Sequence, residues 1–162
     1  MLNIAILSRG AGLYSTQSLY RAARNRGHYC RVIDHQRCHI VMDAAAPCLV
    51  YEGLLLSGMD AIIPRIGASV TDYGAAIIRQ LELTGYYTLT SSEALLRARD
   101  KLKCLQVLSA NGISIPQTFI AGSPEDLRKM VERLQGNGSV IIKLLESTHG
   151  VGVILAESRI SA

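Results

Sequence analysis

The sequence predicts an α/β protein built on a parallel sheet, and three observations predict it. Short apolar runs recur at Leu2–Leu7 and Asp60–Pro64, with the length and composition of buried strands. The stretches that follow them end at Gly27 and Gly85, and glycine readily takes the left-handed conformation just past a helix C-terminus. Residues 2–33 hold a strand, a helix and a strand, a βαβ unit that implies parallel neighbours and a right-handed crossover.

The elements read in order as follows. Leu2–Leu7 is the opening strand, and Ser8-Arg9-Gly10-Ala11-Gly12 is a polar loop at its carboxyl end. Ser15 or Thr16 caps a helix to about Arg26, and Tyr29–Ile33 is the second strand. His35–Pro47 reads as irregular. Leu49–Tyr51 and Leu54–Leu56 flank Glu52-Gly53 as a small hairpin. Asp60–Pro64 is a buried strand that runs into Arg65-Ile66-Gly67. Thr71 or Asp72 starts a helix to about Thr84, and Tyr86–Leu89 is a short strand. Ser91 or Ser92 caps one helix over Glu93–Ala110, stopped by Asn111-Gly112.

The pattern changes near Pro116, so a boundary is expected between Ala110 and Pro116. Gln117–Ala121 is strand-like. Ser123-Pro124-Glu125-Asp126 is a helix start, with serine as cap, proline in the first helical position and acids in the first turn. That helix reaches about Leu134, and Gly136-Asn137-Gly138 is a turn. Ser139–Leu145 and Val151–Ala156 are partner strands around the loop Glu146–Gly150.

Composition limits the function classes. Hydrophobic residues make up 49% and charged residues 19%, a balance for a folded core and against disorder. No apolar run approaches the roughly 20 residues a membrane-spanning helix needs, and no signal peptide is evident. The net charge of +4 favours anionic partners, but its lysines and arginines form no dense stripe of the kind nucleic acid requires, so DNA is not expected. Cys30, Cys38, Cys48 and Cys104 form no C-x-x-C pair or zinc pattern, which suits free thiols in a reducing cytoplasm.

Four features carry chemistry. Gly10-Ala11-Gly12 between strand and helix half-matches a dinucleotide fingerprint, with Asp34 where a ribose-binding acid would stand, but Ser15 occupies the third glycine position. A flexible loop is the plainer reading, at what is still the usual ligand edge of such a sheet. Arg65, directly after a buried strand, can fork onto a carboxylate or phosphate, or make a structural ion pair. Arg99-Asp100-Lys101 within a helix reads as a solvated face. Lys143 interrupts an apolar strand, which is costly unless its ammonium meets an anion or reaches solvent at the sheet edge. The small-residue loop Ser147–Gly152 beside it can wrap a phosphate with backbone N–H groups.

Four segments together resemble the RimK-type ATP-grasp glutamate ligases. They are Ile4–Arg9, Ala61–Gly67, Ala98–Leu102, and Val140–Glu146 with Gly150–Val153, in the family's order along essentially the whole chain. The resemblance implies a parallel α/β pre-ATP-grasp domain at residues 1–111, then a partial α+β ATP-grasp subdomain at 112–162. It implies ATP with magnesium, an acylphosphate on a protein carboxylate, and glutamate as the attacking amine. The acceptor it names is a small-subunit ribosomal protein. Lys101 and Lys143 match the two phosphate-facing lysines, and Ser147, His149, Gly150 and Gly152 fall in the loop that closes over the phosphates. Ser8, Arg9 and Arg65 are assigned to substrate. Ser147 and His149 stand where the family usually has glycine and glutamine, and Thr90 where asparagine is common. The adenine pocket and the metal ligands belong to a second half beyond residue 162. The resemblance therefore implies that this chain alone is inactive, and that its exposed apolar strands are covered by self-association into a homo-oligomer. A non-catalytic pre-ATP-grasp module acting in oligomerisation or partner binding is the alternative.

Overall fold

In the computed structural model the chain forms two compact units, Met1–Arg99 and Asp100–Ala162. The structure describes residues 1–134, 139–144 and 152–156.

The first unit is organised by a parallel sheet. Its strands are β1 (Asn3–Leu7), β2 (Tyr29–Ile33), β6 (Ala61–Pro64) and β7 (Tyr87–Thr88), in the order β2-β1-β6-β7. Leu7 pairs with Ile33 on one side and with Pro64 on the other. β1 is therefore central, and its Ala5, Ile6 and Leu7 are wholly buried. Helix α2 (Thr71–Leu83) buries Ala75, Ile77, Ile78 and Leu81, and the last two with Ile77 join the core around Leu7, Ile33 and Ile62. Each large aliphatic side chain so buried contributes about 1.5–3 kcal/mol. Helix α1 (Tyr14–Asn25) connects β1 to β2.

A second, antiparallel sheet packs against α2. It has the order β3 (Cys38–Val41), β4 (Cys48–Tyr51), β5 (Leu54–Leu55). Glu52 and Gly53 both have positive φ, 52° and 80°, so the expected hairpin closes on the turn type that suits twisted strands. Tyr73 on α2 donates its hydroxyl to the Cys38 carbonyl at 2.6 Å, tying helix to sheet.

Several expectations need correction. The segment read as irregular holds a short 3-10 turn, His35–Arg37, and then β3, which pairs antiparallel with the next strand, β4, across residues 42–47. Neither Ser15 nor Thr16 caps α1: the helix begins at Tyr14, Leu13 precedes it without a side-chain cap, and both hydroxyls are engaged elsewhere. Thr71 is already helical, and its hydroxyl donates back to Ala68 O at 2.9 Å. The single helix expected over Glu93–Ala110 is two, α3 (Ser92–Arg99) and α4 (Lys101–Ala110). Asp100 separates them in extended geometry, and its carboxylate caps α4 by accepting from Lys103 N at 2.9 Å. A cap uses up the acid that would otherwise have continued the helix.

In the second unit, α5 (Pro124–Leu134) starts as its sequence predicts. Ser123 Oγ accepts from Asp126 N at 3.1 Å and donates to Asp126 Oδ2 at 2.9 Å, a reciprocal capping pair. Gln117–Ala121 forms no strand. β8 (Val140–Lys143) and β9 (Val153–Ala156) pair antiparallel, with Lys143 opposite Val153. The turn expected at Gly136–Gly138 lies outside the described residues.

Candidate functional site

Each unit carries one candidate site. In the first, the chain leaves β1 to form β2 on one side, then crosses to β6 on the other. The carboxyl ends of β1 and β6 thus flank the point where strand order reverses, the usual ligand crevice of an open parallel sheet. Ser8 and Arg9 follow β1, and Arg65 follows β6, so the topology brings together all three residues assigned to substrate. The backbones are clamped there: Arg65 N donates to Leu7 O at 2.8 Å and Ser8 N to Ile33 O at 2.9 Å.

The side chains differ in what they can do. Ser8 is 2% exposed, and its hydroxyl lies 2.9 Å from that of the buried Thr16. It anchors the start of α1 from beneath the crevice. The guanidiniums of Arg9 and Arg65 are exposed. Arg9 donates to Ser69 Oγ at 3.2 Å and Arg65 to Ser15 Oγ at 3.1 Å. Arg99 supports the same loop by donating to the Ile66 carbonyl at 2.7 Å.

At the end of β2, Asp34 accepts from Gln36 N at 3.0 Å and caps the 3-10 turn. This gives the acid of the half-matched dinucleotide fingerprint a structural task. His35 is fully buried, and among the described residues neither ring nitrogen has a hydrogen-bond partner. Burial holds its pKa below the usual imidazole range; Asp34 opposes that shift and Arg9 adds to it. Ser15, Ser69 and His35 were not singled out as site residues from sequence. For His35 a signal existed, since an imidazole follows directly on the carboxyl edge of a strand. The serines become partners only through contacts 50 and 60 residues apart.

In the second unit, the cap at Asp100 makes Lys101 the first residue of α4. Its ammonium donates to the Leu144 carbonyl at 3.3 Å, next to Lys143 at the end of β8. Lys143 is exposed. Leu144 N in turn donates to Gly152 O at 3.0 Å. Gly152 has φ of +72°, and a Cβ there would fall 2.5 Å from Leu144 Cδ1. Only glycine fits this close approach. The structure thus sets the Lys101 ammonium against the residue that follows Lys143. Ser147, His149 and Gly150 lie outside the described residues. Among the described residues no group of three His, Cys, Asp or Glu side chains could hold a metal ion. The described residues thus offer no donor set for magnesium.

A parallel α/β unit of this strand order, followed by a unit with a lysine-bearing antiparallel hairpin, has the fold of the front half of an ATP-grasp protein. Solved structures match it at the level of fold. A RimK domain ATP-grasp protein from Sphaerobacter thermophilus has a TM-score of 0.71 at 19% identity, covering 98% of this chain and 55% of that one. The ATP-grasp ligase PsnB, solved with a phosphomimetic variant of its minimal precursor, Mg and ADP, has a TM-score of 0.68 at 16% identity, over 100% of this chain and 60% of that one. Residues 2–95 match the RimK PreATP-grasp domain and residues 98–162 the RimK-like ATP-grasp domain, and the chain belongs to the RimK family.

Among curated relatives, a probable alpha-L-glutamate ligase of Hydrogenovibrio crunogenus is 51% identical over 161 residues. One from Vibrio cholerae is 48% identical over the same length. Each match covers 99% of this chain and 53% of the relative, so the chain spans about half the length of the curated relatives it matches.

Proposed function

We propose that the chain is the amino-terminal portion of an ATP-dependent carboxylate–amine ligase that adds glutamate to the C-terminal carboxylate of an acceptor protein. In this reading the γ-phosphoryl group of ATP passes to a carboxylate oxygen, giving an acylphosphate and ADP. The glutamate amine then attacks the acyl carbon, and phosphate and a proton leave. Lys101 and Lys143 hold the phosphates and offset the charge spread over the transferring group. Magnesium, when bound, would add to that charge stabilisation. A small-subunit ribosomal protein is the acceptor, and the cytoplasm is where such a protein would be met.

The observation that carries this reading is the bond from Lys101 to the carbonyl beside Lys143, at a hairpin mouth that only glycine can close. Calorimetric titration with Mg-ATP, with NAD as control, tests it. Weak binding of Mg-ATP at most, with no heat from NAD, is the expected result. Binding of NAD alone would overturn it and return Gly10, Gly12 and Asp34 to the centre.

A second reading, a module acting in oligomerisation, is favoured by β8 and β9. Ile141 is 58% exposed, and Ile154 and Leu155 are each 54% exposed. Apolar strands this open call for a cover, and a second copy of the chain supplies one in this reading. Light scattering that shows a clean monomer would exclude it.

A further inference from the structure

The crevice between β1 and β6 contains an exchange that the lysine pair does not explain. Arg9 leaves β1 and bonds to Ser69, in the turn that follows β6. Arg65 leaves β6 and bonds to Ser15, in the helix that follows β1. The two side chains thus cross the strand boundary in opposite directions. Each guanidinium is a permanent cation with five N–H donors, and a serine hydroxyl takes one of them. Neither forms an ion pair with a carboxylate among the described residues. The guanidiniums bring permanent positive charge to this crevice.

We propose that Arg9 and Arg65 together form a site for a molecule with two carboxylates, one for each guanidinium, complete within residues 1–99 and filled without nucleotide. Three points carry it. Arginine presents a planar fork that matches a carboxylate with two parallel bonds, and an exposed neutral hydroxyl is easily displaced from it. The two arginines follow neighbouring, hydrogen-bonded strands and so leave the same edge of the sheet. A phosphate site would want a cradle of free backbone N–H groups, but the loop has spent two of them. Gly10 N donates to Ser8 Oγ at 3.3 Å and Leu13 N to Gly10 O at 3.1 Å. Ser15 and Ser69 are placeholders that hold the guanidiniums in position until the carboxylates arrive.

The proposal rests on the ligase reading only for the suggestion that the occupant is a substrate; no residue beyond 99 takes part. The test is titration of the whole chain, with no nucleotide present, followed by calorimetry or by amide chemical shifts. The probes are glutarate, butyrate, inorganic phosphate, L-glutamate and a tripeptide ending in glutamate. Glutarate is expected to bind at least tenfold more tightly than butyrate or phosphate. Arg9→Gln and Arg65→Gln should each weaken glutarate about tenfold, while Ser15→Ala and Ser69→Ala should leave it unchanged or slightly tighter. Circular dichroism of each variant confirms its fold, and both arginines are exposed. Glutarate that binds no better than butyrate, or phosphate that outcompetes it, overturns the proposal. Tighter binding of the tripeptide than of L-glutamate identifies the occupant as an acceptor chain end, and the reverse identifies it as the amine donor. If glutarate binds while the chain takes NAD and not Mg-ATP, the ligase reading falls and the dicarboxylate site stands.

Discussion

Glu82 and Ser92 are joined twice. Glu82 Oε2 accepts from the Ser92 hydroxyl at 2.6 Å, and Oε1 accepts from the Ser92 backbone N–H at 3.0 Å. Oε1 also accepts from Thr88 Oγ1 at 3.0 Å. One carboxylate on α2 thereby fixes both β7 and the start of α3. Ser92 is 5% exposed, so its hydroxyl has little access to water if the acid is removed. Glu82→Ala should cost about 1–3 kcal/mol in urea unfolding, because buried donors are left unpaired. Glu82→Gln, which keeps an acceptor oxygen, should cost less.

Gly74 on α2 lies against Ile66. A Cβ at Gly74 would sit 2.3 Å from Ile66 Cγ2, and Ile66 is itself buried. Gly74→Ala gains up to about 1 kcal/mol of helix propensity but incurs about 1–3 kcal/mol of overpacking. The expected outcome is a net loss of stability. Adding Ile66→Ala should make the pair less costly than the sum of the single changes, which a double-mutant cycle by urea unfolding checks.

His35 gives a pH dependence whose sign follows from its depressed pKa. An imidazole that protonates less readily when folded than when unfolded favours the native state above the unfolded pKa, about 6.5. That contribution is lost as pH falls through 6.5, with a slope of at most about 1.4 kcal/mol per pH unit for one proton. Unfolding midpoints measured between pH 7.5 and 5 should fall for the native sequence. His35→Leu should flatten the curve.

Cys38 should be the least reactive thiol. It is fully buried, and burial, helped by the negative charge of Asp34, pushes its pKa up to about 11. Almost no thiolate then exists at pH 8. Alkylation followed by mass spectrometry should label Cys48 and Cys104, both half-buried, well before Cys38, which should react only on unfolding.

Much of the fold was legible because its signals are local. Tyr29–Ile33 and the helix stop at Gly27 need only an apolar run and a left-handed glycine, and both are present. β3 was missed because it depends on pairing with β4 across the stretch Met42–Pro47. The break at Asp100 was missed because a polar run from Arg97 to Lys103 looks the same whether its acid faces solvent or caps a new helix. In the crevice, Arg65 stood out because a cation directly follows a buried strand. The hydroxyls that hold both arginines did not, since each is supplied from the far side of the strand boundary. Lys143 was legible as an anomaly in an apolar strand, whereas the reach of Lys101 to Leu144 depends on the helix break that the sequence concealed.

The central claim is that Lys101 and Lys143 take the phosphates of ATP. The most direct test is the Mg-ATP affinity of the native chain beside Lys143→Met and Lys101→Met, measured by calorimetry under one set of conditions. At least a tenfold loss in each variant, about 1.4 kcal/mol or more, is the predicted result. Affinity unchanged in both would mean that Lys143 only reaches for solvent at a sheet edge, and the claim would be contradicted.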